Sequence, residues 1–97
     1  MTPKTVDEAV NILFKHISLK HKSGLAKLSE DDLANLRLSL GIFIRDVFRL
    51  DTGNRELLES CREISNDKYL HHSQAPTVII KELWKRLRKT HRLRAVK

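Results

Sequence analysis

The side chains with the widest chemical reach are five histidines (His16, His21, His71, His72 and His91), the single cysteine Cys61, twelve carboxylates and nineteen lysines and arginines. A zinc site needs converging ligands, usually a Cys-x-x-Cys step or two histidines at i and i+4, one turn apart on a helix. No histidine pair has that spacing, and His71 and His72, adjacent in a polar stretch, are expected to point their rings apart. No metal and no other cofactor is expected. Cys61 could pair with a distant histidine as a nucleophile, yet it stands in step with Leu57 and Ile64 on an apolar stripe, where a thiol behaves as a small hydrophobe. Carboxylates gather at helix starts (Asp7, Glu8, Glu30, Asp31, Asp32), where the positive end of the helix dipole accounts for them. The sequence has no Gly-rich phosphate loop, no Gly-x-Ser-x-Gly elbow and no paired-carboxylate spacing, so neither enzyme activity nor a small-molecule substrate is expected.

What remains is charge. The net charge is +7. Residues 1 to 80 hold eleven basic and eleven acidic side chains, whereas from Lys81 onward there are eight basic residues and one acid, Glu82. The whole excess lies in the last segment, as a row of Lys81, Lys85, Arg88, Lys89 and Arg92 with Arg86 at its border. Such a row could neutralise several phosphates, which makes it the candidate nucleic-acid surface. The competing account is a solvated helix face whose cations suit the C-terminal end of the dipole. Trp84 falls on the opposite, core-facing arc, so no exposed aromatic platform is expected for stacking bases. A membrane surface fits least, because the apolar face of that helix is needed by the core.

Ninety-seven residues, 40% hydrophobic and 32% charged, suffice for one globular domain. Three glycines and two prolines are too few for an all-β fold with frequent turns, and fifteen leucines point to helices. The expected architecture is all-α, a single small bundle of four to five helices with a basic C-terminal helix: a core bundle over 3–87 and an extension over 88–97. A lone cysteine excludes an internal disulfide, no apolar run is long enough to span a bilayer, and the start lacks an export signal, so a cytoplasmic protein is expected.

The first helix is announced by the capping box Thr5-Val6-Asp7-Glu8, with Val6, Ala9, Val10, Leu13, Phe14 and Ile17 on one face, and should stop near Leu19. Lys20 to Gly24 reads as a connection, followed by at most a helical turn over Leu25 to Leu28. Ser29 then caps a central helix with Leu33, Leu36, Leu40, Phe43, Ile44, Val47 and Phe48 inward, while Leu38 and Ile42 lie on the far side beside Ala34 and Gly41. Asp51 to Asn54 has turn chemistry, and the next helix carries Leu57, Leu58, Cys61 and Ile64 inward. After a loop over Ser65 to Ser73, Pro76 opens the last helix, whose core arc is Ile79, Ile80, Leu83, Trp84 and Leu87.

The far side of the central helix, Leu38, Ile42 and Arg45, is the candidate partner-binding face, suited to a partner protein or to a second copy of the chain. Arg45 has a structural alternative, bonding the end of its own helix or the Asp51 to Asn54 turn. Protein binding is the favoured function and nucleic-acid binding the alternative.

Leu40-Gly41-Ile42-Phe43-Ile44-Arg45-Asp46-Val47-Phe48-Arg49-Leu50, followed by Asn54-Arg55-Glu56-Leu57-Leu58, resembles a small bacterial helical family classed as a domain of unknown function. Pro3 to Val10 and Val78 to Trp84 are similar to its two ends, so the likeness runs over roughly residues 3 to 87. The chain departs from that pattern at Arg37, Phe43, Asp46, Asp51 and the His71 to Gln74 loop. The resemblance implies an all-helical fold and no activity.

Overall fold

The computed structural model describes residues 2–50 and 52–95, without the side chains of residues 19, 37, 38 and 90–95. Five α-helices and one 3-10 helix make up the described chain: α1 Val6–His16, α2 Leu19–Ala26, the 3-10 helix Asp31–Leu38, α3 Leu40–Val47, α4 Arg55–Ser65 and α5 Ala75–Ala95. The fold is all-helical, as the leucine periodicity predicts.

Local chemistry sets the ends. Thr5 Oγ1 accepts from the Glu8 amide at 3.1 Å, which starts α1. The Glu8 carboxylate accepts from the Lys4 amide at 2.8 Å, so the expected reciprocal bond to Thr5 shifts back by one residue. Ser29 and Asp32 form a complete box instead: Ser29 Oγ accepts from the Asp32 amide, and Asp32 Oδ2 accepts from the Ser29 amide and hydroxyl. Asn54 Oδ1 caps α4 through the Leu57 amide. Asn66, in the left-handed region at φ 58°, ends α4, and the Asp67 amide donates back to the Arg62 carbonyl.

Helix α5 is the hub. It packs against α1, α2, α3, α4 and the 3-10 helix, and buries Ala75, Ile79, Ile80, Leu83 and Leu87. Opposite them stand Val6, Ala9, Val10 and Leu13 of α1, Ile44 and Phe48 of α3, and Leu57 and Cys61 of α4. Two long-range bonds to polar side chains tie the start of the chain to α4. Asn54 Nδ2 donates to the carbonyls of Pro3 and Phe48 at 2.9 and 2.8 Å, and Ser60 Oγ accepts from the Val6 amide at 2.9 Å.

Several expectations are corrected. Lys20 to Gly24 is helical: Ser18 Oγ accepts from the His21 amide and opens α2, whose Leu25 and Ala26 pack on the core. Tertiary burial thus overrides the weak local propensity of a glycine-bearing stretch. The expected single central helix is two pieces, parted at Ser39 (φ −117°, ψ −78°). A straight helix of that length would run ~28 Å and meet a crossing partner mainly near its middle; broken, both pieces reach α5. Phe43, Val47 and Ile64, read as core, are 52%, 47% and 46% exposed. The first half of α5 is the centre of the core, in keeping with the inward arc of Ile79, Ile80, Leu83 and Leu87 read from the sequence.

Candidate functional site

On α3, Ile44 and Phe48 are buried and define the inward face. Counting 100° per residue from that face, an outward arc runs from Arg45 through Ile42, Asp46 and Phe43 to Val47. Ile42, at 41% exposure, joins Phe43 and Val47 as large apolar side chains in water on a helix of eight residues. At one edge of the arc, Ile42 and Arg45 line a cleft of about 530 Å³ with Ala34, Gly41, Ser73, Pro76 and Thr77, between the two central helical pieces and the start of α5. The spacing argument therefore brings Ile42 and Arg45 to one cleft. The side chain of Leu38, the third residue of that set, lies outside those described. The Phe48 carbonyl at the end of α3 accepts from Asn54 Nδ2.

The basic row of α5 is only partly open. Lys81 Nζ lies 2.8 Å from Glu30 Oε2, Lys85 Nζ lies 3.2 Å from Glu82 Oε2, and the Arg88 guanidinium sits over the Trp84 ring at 4.8 Å. The Lys81 ammonium holds the Glu30 carboxyl below its ordinary pKa, and Glu30 in turn raises that of Lys81. Arg86 pairs with Asp7 at 2.9 Å and donates to Asn11. Lys89 lines a shallow hollow with Val10, Ile64 and Arg86, and the Arg92 side chain lies outside those described.

Cys61 is fully buried, its thiol donating to the Ala75 carbonyl at 3.7 Å, and burial pushes its pKa up to about 12. At neutral pH it is a thiol in the core and no nucleophile. His71 and His72 do not diverge: their rings lie against each other with centroids 4.0 Å apart and a tilt of 35°, and the His71 Nδ1 bonds the Ser73 hydroxyl. Among the described residues no three His, Cys, Asp or Glu side chains gather as metal ligands would, and no helix is long and apolar enough to cross a membrane.

The electrical balance of residues 1 to 80 hides a local cationic run. From Ala9 to Ser29 there is no acid, while Lys15, Lys20, Lys22 and Lys27 all fall in that stretch. Beside α2 runs an apolar groove of about 510 Å³, lined by Ile17, Gly24, Leu25, Leu28, Leu36 and Leu40 with Lys20 and His21. A finer charge window would have found the lysines. The groove needs α1, α2, the 3-10 helix and α3 together, and no single periodicity predicts it.

A long terminal helix with the rest of the chain folded onto it, carrying a water-facing apolar arc on a short neighbouring helix, defines a small all-helical domain. Residues 2–87 match the family described as a domain of unknown function, DUF6794, and the chain belongs to that family. No curated protein and no solved structure matches the chain.

Proposed function

We propose that this domain is a non-enzymatic, cytoplasmic binding module that takes a protein partner on the outward arc of α3. The observation that carries this is the exposure of Ile42, Phe43 and Val47 on one eight-residue helix, beside a cleft edged by Arg45. Leaving such side chains in water forfeits roughly 25 cal/mol for each Å² of apolar surface, a loss that a partner recovers. A net charge of +7 on each copy opposes self-association and favours a partner of opposite charge.

The test replaces Phe43, Ile42 or, as a control on α4, Glu56 with a photo-crosslinking amino acid in living cells. Adducts should form from positions 42 and 43, not from 56, and the adduct from 43 should vanish on adding Ile42→Asp. Equal adducts from all three positions would end the proposal; self-adducts alone would replace the partner with a second copy. The second reading, nucleic-acid binding by α5, is favoured by Lys89 and Arg88, whose side chains form no ion pair with a described carboxylate. It requires RNA binding that collapses between low and moderate salt and is abolished by truncation after Leu87.

A further inference from the structure

We infer that the partner element is an acidic amphipathic helix, and that it lies along the groove between α2 and α3; this rests on the protein-binding reading above. The groove floor is apolar, formed by Ile17, Leu25, Leu28, Leu36 and Leu40. Its floor residue Leu40 shares a helical stripe with Val47 and Phe43, so the apolar strip continues past the groove onto the exposed arc of α3. From Leu40 to Val47 alone the strip advances ~10 Å, two turns of a helix, and the groove adds to that length. A surface open along its length and read by several apolar anchors matches the helix-in-groove mode, whose ligand presents side chains at i, i+3, i+4 and i+7.

Charge selects the sign of the occupant. Lys20 and His21 line the groove, and Lys27, next to the groove-lining Leu28, is exposed; neither lysine forms an ion pair with a described carboxylate. Of the nearest acids in sequence, Glu30 pairs with Lys81 and Asp32 accepts from Ser29, while Asp31 is exposed. Asp46 is the one acid on the outward arc of α3. A helix with glutamates flanking a leucine stripe therefore meets cations on its α2 side, whereas a lysine-flanked helix meets repulsion.

Trp84 reports on the site, because its Nε1 donates to the Leu28 carbonyl at 2.9 Å and Leu28 lines the groove. Two Trp-free peptides of ~18 residues, about five turns, share a leucine stripe and differ only in having Glu or Lys elsewhere. Each is titrated into the full chain at low salt, with a single-stranded oligonucleotide and a long-chain fatty carboxylate as further arms. The Glu peptide is expected to shift Trp84 emission saturably and to bind at least ~10-fold more tightly than the Lys peptide, with the difference shrinking as salt rises. Lys20→Glu with Lys27→Glu, two surface changes that leave the core intact, should reverse that preference.

Equal binding of both peptides, no binding of either, or an unchanged preference in the charge-reversed variant would overturn the inference. So would saturation by the oligonucleotide or the fatty carboxylate without the Glu peptide, either of which assigns the groove to that ligand. If the peptides fail while Phe43 still gives its specific adduct, only the acidic helix is lost; if that adduct is also absent, the reading beneath it goes too.

Discussion

Ile44 and Phe43 are neighbours in α3 with opposite surroundings, and replacing each by alanine measures how α3 is seated. Ile44 is fully buried, so Ile44→Ala removes transfer energy and leaves a cavity, a combined cost of about 2–5 kcal/mol. Phe43 is 52% exposed; about half of a ring side chain's ~200 Å² leaves water, worth at most ~2.5 kcal/mol at 25 cal/mol per Å². Solvent fills the space, so no cavity term is added, and the better helix propensity of alanine returns ~0.5 kcal/mol. Compactness of the unfolded chain lowers the burial figure further, leaving a net cost of about 1–2 kcal/mol. The two variants should therefore differ by ~2 kcal/mol, or roughly 8–16 °C in Tm for a domain of this size. Urea unfolding followed by Trp84 fluorescence gives both values, provided the slope against denaturant is unchanged. A Phe43→Ala cost of 3 kcal/mol or more, equal to that of Ile44→Ala, would mean that Phe43 is a core residue and that α3 has no free apolar arc.

Other perturbations test the rest of the fold. Gly24 lies inside α2 with open space where a Cβ would stand, so Gly24→Ala should raise stability by about 0.5–1 kcal/mol in the same assay; a loss would argue against a helix there. Asn54→Ala removes two donated bonds and one cap, and should cost roughly 1.5–4 kcal/mol and speed amide exchange at Leu57. The Cys61 thiol should resist Ellman's reagent at pH 8 until the chain unfolds. Its raised pKa favours the folded state fully below the unfolded value, and that contribution falls by about 1.4 kcal/mol per pH unit from near 9 towards 12; Cys61→Ala should lack this component of the decline. In an NMR titration Glu30 should titrate below an ordinary glutamate and return to normal in Lys81→Met.

How far the sequence reads through to the fold depends on the range of the interaction. Thr5, Ser29, Asn54 and Pro76 act within one helical turn, so their capping and starting roles, and with them the starts of α1, α4 and α5, are legible from types and spacing. The 3.6-residue period likewise finds the inward faces of α1 and α5, and the acidic and basic counts find the cationic last segment. Periodicity tells which side chains share a face, but not whether another element covers it. That decision fell to α5, which holds the two central pieces separately, draws Ile44 and Phe48 inward, and leaves Phe43 and Val47 outside. The pairing of Lys81 with Glu30 and of Arg86 with Asp7 belongs to the same class, since each joins residues from distant parts of the chain. Local hydrogen bonds are written in neighbouring letters, whereas exposure is a property of what packs alongside, and only the assembled helices determine it.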